Sequence, residues 1–340
     1  MRYLWLFVCT FILWGCNDSE ELREVDTIID STKVTSQFFN GNTDYVWDRM
    51  SEQLRRYHGS KDNFRAFQQG VISEHGGRFN VDQSEFFKLD QVNYYDISGK
   101  AQKQTGQNRL ALHMSFTNKN GDKLLSLDFR ETSIASILGD QTYAPQNTWD
   151  FPFEGEYLTW WGSNSHLSNA NVQDKSTAFG LNFVKIVDGR HFIDSGRRNS
   201  DYYCWGRSIF APQDGTIVGL RTDLKDNEPG QKNPDSNLAH GNFVVIDHGN
   251  SEFSVISHLQ QNSVTLKLGY KVKKGSLIGA CGNSGSTPFP QIRMHLQDSS
   301  TLSGESRGKG LPIKFESYYL DGKEVKDISP KRGSVIEPII

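Results

Sequence analysis

GNFVVIDHGNSEFSVISHLQQNSVTLKLGYKVKKGSLIGACGNSGS, residues 241–286, decides how this chain is read. Short runs rich in Val, Ile and Phe, at Asn242–Asp247, Phe253–His258 and Ser263–Leu268, are punctuated by Gly and Asp, and no long helical period follows. That pattern predicts an antiparallel all-β domain. Asp247 and His248 are sequence neighbours on a strand and so point to opposite faces, while Gly249-Asn250 reads as a turn. Gly282–Ser286 is glycine-rich but has no lysine or following helix, so it reads as a tight turn bordering a groove, not as a phosphate loop.

Working outward, three further stretches belong with this one: YLTWWGSNSHLSN (157–169), DYYCWGRSIFAPQDGTIV (201–218) and GLPIKFESYYLDGKEV (310–325). Together with residues 241–286 they resemble the LytM/lysostaphin-type zinc metalloendopeptidases, over most of the chain from about Trp160 onward. In that family a strand pair leads to a catalytic-site histidine in an "HL" step, followed by a "GNSG" turn. The resemblance implies one Zn²⁺ held by two histidines and an aspartate, further histidines for proton transfer, and peptide cross-links of bacterial peptidoglycan as substrate.

Carried over by motif, the first zinc-ligand position is His166 in SNSHLSN, and the catalytic-site histidine of the "HL" step is His258. The aspartate ligand belongs in an aromatic-Ala-x-Asp-aromatic strand, and here Phe179-Gly180-Leu181-Asn182-Phe183 puts Asn182 in its place. The family's PHLHF motif supplies a general base and, two residues on, the last ligand, both on one side of a strand. This chain has Ile292-Arg293-Met294-His295-Leu296, so the ligand His295 is kept while Arg293 replaces the base. Pro290 lies three residues before Arg293 instead of adjoining it, so the entry loop is altered as well.

Asn offers a cation a carbonyl oxygen without the charge of Asp, and Arg stays protonated and takes no proton from water. A guanidinium about 5 Å from a dication would cost roughly 6–7 kcal/mol at an effective dielectric of about 20. Structural zinc binding in peptides totals only about 10–16 kcal/mol. Zinc occupancy and hydrolysis are therefore both placed in doubt by the residues themselves.

The net charge of −3 and the absence of a Lys/Arg block argue against nucleic acid as a partner. Residues 1–16 join Arg2 to an apolar run, Tyr3 to Trp14, too short to span a membrane as a mature helix, and end in Leu13-Trp14-Gly15-Cys16. This reads as a lipoprotein signal, with Cys16 as the lipid-bearing mature N-terminus on a membrane surface; an ordinary signal peptide with a chance cysteine is the alternative. Residues 17–30, acidic apart from Arg23, read as an extended, solvated tether. With Cys9 and Cys16 so assigned, Cys204 and Cys281 remain, and the sequence leaves their pairing open.

Residues 31–131 read as a small α+β domain. Phe38, Phe39, Val46, Trp47, Met50 and Leu54 recur at helical spacing around Asn40-Gly41-Asn42, which predicts two short helices. A further helix starts at Ser60 and stops at His75-Gly76-Gly77. Leu110, Leu112, Met114 and Phe116, the turn 118–121, then Leu125, Leu127 and Phe129 make a hairpin. FFNGNTDYVWDRMSEQL with this hairpin resembles the cystatin-like domains related in shape to nuclear transport factor two. His58, His75 and His113 lack partners at metal-ligand spacing and read as surface or packing residues. Residues 132–156 read as a linker, residues 157–340 as the peptidase-like domain, and His191 and His240 as loop residues.

The expected function is that of an envelope-anchored protein whose degenerate peptidase domain binds peptidoglycan or regulates a cell-wall hydrolase. Arg293 would then pair with a carboxylate of a peptide stem or partner. The alternative is a residual zinc endopeptidase using His166, Asn182 and His295 with His258 assisting. A third reading gives the main role to the N-terminal domain.

Overall fold

The computed structural model describes residues 24–117, 123–133, 139–162, 167, 169–172 and 174–339. Cys16 and the signal segment, His166, and the hairpin turn at 118–121 lie outside the described residues. The chain divides into two units, residues 1–135 and 136–340.

The first unit contains helices α1 (Glu24–Phe39), α2 (Thr43–Arg49), α3 (Glu52–His58) and α4 (Lys61–His75). After them comes an antiparallel sheet in the order β1 (Phe79–Leu89), β2 (Val92–Ala101), β3 (Asn108–Thr117), β4 (Leu124–Ser133). Side-chain oxygens of Asn42, Ser51 and Ser60 accept from the backbone N–H of Tyr45, Leu54 and Asn63, satisfying helix donors that have no partner within their own helix. Gly76, at φ +94°, ends α4 where a side chain would be strained. Val34, Phe38, Val46, Leu54 and Phe64 from the helices meet Ile97, Leu112 and Met114 from the sheet in one core. The unit is α+β, as its periodicities predict. Residues 24–30 belong to α1, so the extended tether read over 17–30 is corrected for that part, and residues 17–23 lie outside the described residues. The region read as two short helices resolves into α1, α2 and α3.

The second unit is built on one large antiparallel sheet. Its strands are β5 (Tyr157–Trp161), β6 (Leu181–Lys185), β7 (Ser208–Phe210), β8 (Gly215–Arg221), β9 (Asn242–Asp247) and β10 (Phe253–Leu259). They continue with β11 (Lys271–Val272), β12 (Leu277–Ala280), β13 (Ile292–Gln297), β14 (Gly310–Leu311), β15 (Phe315–Leu320), β16 (Lys323–Ile328) and β17 (Val335–Pro338). The sheet runs β11-β8-β9-β10-β13-β6-β5-β17-β15-β16, with β14 beside β13, while β12 and β7 pair separately. Val244, Ile246, Ile256, Met294 and Leu296 lie in its core. All-β antiparallel architecture is what the Val/Ile/Phe runs predict, with one exception. Residues 263–268 form no strand. Val264 is buried while Leu268 is 63% exposed, and the segment connects β10 to β11 without joining a ladder.

The reading of 132–156 as a linker also needs correction within this unit. Trp149, Phe151 and Phe153 are buried in the second core, with Phe151 stacked on Phe315 at 3.7 Å and Phe153 on Tyr157 at 3.8 Å. Pro and Gly interrupt the periodicity there, but the aromatic side chains supply the apolar area that binds the segment to the sheet. Cys204 and Cys281 form a disulfide, Cα–Cα 5.8 Å, which ties the stretch before β7 to the residue that precedes the Gly282–Ser286 turn. His248 is structural. Its Nδ1–H donates to the Asp214 carbonyl at 2.7 Å, its Nε2 takes the Ser254 hydroxyl at 2.7 Å, and its ring stands edge-on to Trp149.

Candidate active site

Strand β13 positions the site by alternation. Ile292, Met294 and Leu296 point into the core, which turns Arg293, His295 and Gln297 to the opposite face. Register places Asn182 of β6 and Ser257 of β10 opposite Arg293 on its two sides, so these residues share that face. His258 would face away from its neighbour Ser257. A register shift between Ser257 and Leu259 and a left-handed backbone at His258 (φ +67°) re-aim it.

The Gly282–Ser286 turn then fixes the ring. The Ser284 carbonyl accepts from His258 Nδ1 at 2.8 Å, while Ser284 Oγ accepts from Asn242 N and donates to the Leu259 carbonyl. The turn can sit there because Gly241 and Gly285 pack backbone to backbone; a Cβ on Gly285 would lie 2.4 Å from Gly241 N. With Nδ1 carrying the proton, His258 Nε2 is a lone pair, and it is buried with no hydrogen-bond partner among the described residues.

His295 follows the same logic. Gln297 Nε2 donates to the carbonyls of Ser299 and Thr301, which turns Gln297 Oε1 toward His295 Nε2 at 3.2 Å. His295 therefore carries its proton on Nε2 and leaves Nδ1 as a second buried lone pair with no partner among the described residues. Burial, assisted by Arg293, pushes both His258 and His295 down to about 3, so both rings are neutral at physiological pH.

Arg293 and His240 complete the group. Arg293 Nη2 donates to His240 Nδ1 at 3.0 Å, and the His240 ring stacks at 5.7 Å on His295. Burial and then Arg293 hold His240 well below its usual pKa. Burial lowers Arg293 to about 10, which leaves it a cation at neutral pH. Its Nε is buried and without a partner among the described residues, and Asp174, the acid that acts on it electrostatically, pairs instead with Arg307 at 3.5 Å. His240 is indeed a turn residue, but its side chain is at the site. Strand alternation gave no sign of this because the residue precedes β9.

Asn182 is committed to neighbours. Gln291 Nε2 donates to Thr287 Oγ1 at 2.6 Å, leaving Gln291 Oε1 to accept from Asn182 Nδ2 at 3.1 Å. Asn182 Oδ1 in turn accepts from Asn171 Nδ2 at 3.2 Å. Gln291, Gln297 and Asn171 escaped the sequence reading. Only the placement of Gln297 two residues beyond His295 on the same strand face could have found one of them.

Residues 201–303 match the model of peptidase family M23. The second unit contains a LytM-type domain of this family. The match includes His258, Arg293 and His295 and stops short of Asn182 and His166. The LytM-type domain is also similar to the peptidoglycan DD-endopeptidase ShyA of Vibrio cholerae, 32% identical over 91 residues, 27% of this chain and 17% of that protein. Endolysin 2638A of Staphylococcus phage 2638A is 30% identical over 100 residues, 28% of this chain and 20% of that protein. The chain thus spans a fifth or less of the length of these curated relatives. Among solved structures, the catalytic domain of lysostaphin from Staphylococcus simulans aligns at 15% identity and a TM-score of 0.26, covering 46% of this chain and 88% of that chain.

The family implies zinc, and the described donors of this LytM-type domain test that implication. His295 Nδ1 is a nitrogen a zinc could take. Asn182 brings no negative charge, and its oxygen is already held by Asn171. Arg293 adds a cation on the same face of the sheet. Among the described residues no carboxylate joins this group, and the only three-residue cluster of metal-ligating type is Glu74, His75 and Glu131 in the first unit. The described residues, which do not include His166, do not by themselves make up a catalytic zinc site, and a protonated Arg293 is no general base.

Proposed function

We propose that this protein is an exported, envelope-anchored binder of peptidoglycan peptides whose LytM-type domain has lost hydrolysis and kept its groove. The observation that carries this reading is the hydrogen bond from Asn182 Nδ2 to Gln291 Oε1 at 3.1 Å. An aspartate could not donate it, so the position has been refitted for an amide rather than emptied of a ligand. Arg293, hydrogen-bonded to His240, occupies the position of the proton acceptor. Export is supported by the Cys204–Cys281 disulfide, a bond that persists in oxidising compartments. Anchoring rests on the Leu13-Trp14-Gly15-Cys16 signal. A cell-wall hydrolase docked on the same groove is the second partner this reading admits, and Arg293 would pair with its carboxylate.

The test is a sedimentation assay with purified cell-wall sacculi and chelator-treated protein, run beside a digestion assay with added zinc. Binding without zinc and no release of wall fragments is the expected result. Stoichiometric zinc with chelator-sensitive cleavage would establish the endopeptidase reading instead.

A further inference from the structure

The hydrogen-bonding inventory of this face of the sheet specifies more than a peptide. Among the described residues, three buried polar atoms on this face find no partner: Arg293 Nε, a donor on a cation, and His258 Nε2 and His295 Nδ1, both acceptors once their tautomers are fixed by Ser284 and Gln297. Buried polar groups left unpaired are costly, so a fitting ligand brings an anionic acceptor for the guanidinium and N–H donors for the imidazoles. An intact amide cross-link has N–H but no charge for Arg293. A bare inorganic anion pairs with Arg293 but turns acceptor oxygens toward two imidazole lone pairs. The C-terminal residue of a peptide has both parts, a carboxylate and, one carbon away, its own amide N–H.

We propose that the LytM-type groove recognises the free carboxylate end of an uncross-linked peptide stem. In this arrangement the carboxylate accepts from the Arg293 guanidinium, and His258 and His295 accept from the backbone N–H groups of the last two residues of the stem. This inference rests on the peptidoglycan-binding reading above and narrows it from the wall in general to its chain ends. His240 acts as a positioning residue, because its Nδ1 accepts from Arg293 Nη2 and so orients the guanidinium from behind.

The experiment is calorimetric titration of the full mature chain, without metal, with a synthetic stem tetrapeptide ending in D-alanine, either as the free acid or as its C-terminal amide. Charge-assisted pairing predicts that the acid binds about 10- to 100-fold more tightly than the amide. In Arg293→Gln the two peptides should bind alike, and Arg293→Lys should restore part of the preference. Equal affinities of the wild-type chain for acid and amide would overturn the proposal, and so would an acid preference that survives in Arg293→Gln. The comparison within the wild-type chain holds even if a variant fails to fold. If sacculi are bound but acid and amide are not distinguished, end recognition falls and the broader reading stands. If neither sacculi nor peptide is bound, both fall.

Discussion

Asn182 and Arg293 stand opposite each other in the ladder between β6 and β13. By the motif reading these are the positions of the family's anionic ligand and proton acceptor. Here each has a replacement that the surrounding side chains support: Gln291 and Asn171 use both ends of the Asn182 amide, and His240 accepts from Arg293. The two changes are coupled through the register, since a carboxylate at 182 beside the guanidinium at 293 would pair with it and leave a metal unliganded.

That coupling predicts the behaviour of revertants. Asn182→Asp alone should not confer zinc binding, because Arg293 would neutralise the new carboxylate. Asn182→Asp combined with Arg293→His should take up stoichiometric zinc, measured by elemental analysis after dialysis. Zinc in the wild-type chain, or none in the double variant, would show that the metal site is governed by something other than these two residues.

A second prediction concerns acid. His258 has a folded pKa of about 3 against an ordinary value of 6.5, lowered by burial and then by Arg293, and His295 behaves in the same way. The unfolded chain therefore binds protons first as pH falls. Stability is fully present above about pH 6.5 and is lost progressively as pH drops toward 3, by up to about 1.4 kcal/mol per pH unit for each imidazole. Arg293 acts on both rings and adds repulsion in the same direction, while His240, itself held neutral by burial and Arg293, adds none. Urea unfolding at pH 7 and pH 4.5 should show a loss of a few kcal/mol, and His258→Asn should reduce it. An unchanged midpoint between the two pH values would mean that the rings reach solvent.

Much of this was legible in the sequence, and the part that was not has a physical pattern. Residues 292–297 could be read because alternation is local: Ile292, Met294 and Leu296 go to the core and force Arg293 and His295 to the other face. The left-handed turn at His258 could not, since nothing in the residue type announces φ +67°. Nor could the Asn182–Gln291 pair, whose partners are 109 residues apart and meet only when β6 and β13 align. Residues 263–268 misled for the opposite reason. They have the composition of a strand, but no neighbouring strand pairs with them.

The disulfide joins residues 77 apart, and the chain-entropy argument gives it about 4.5 kcal/mol of stabilisation. Replacing Cys204 and Cys281 together by Ser should lower unfolding free energy by roughly 2–5 kcal/mol. The effect should appear as a lower Tm in the variant, and the wild-type chain should match it only in the presence of reductant. A wild-type Tm insensitive to reductant would mean that the bridge contributes little.

Glu252 supplies the last prediction, about how the segment preceding the LytM-type strands is held. Its carboxylate is fully buried and accepts from Tyr143 Oη at 3.0 Å, Gln146 N at 2.6 Å, Asn147 N at 3.1 Å and Asn147 Nδ2 at 2.5 Å. Burial and this carboxylate push the Tyr143 hydroxyl up to about 12, so it remains a donor through the physiological range. Glu252→Gln keeps the volume but replaces one acceptor oxygen with an N–H that faces donors. The change should cost about 2–3 kcal/mol in denaturant unfolding and increase amide exchange at Gln146 and Asn147. Exchange there that stays as slow as in the wild-type chain would assign the docking of this segment to Trp149, Phe151 and Phe153 alone.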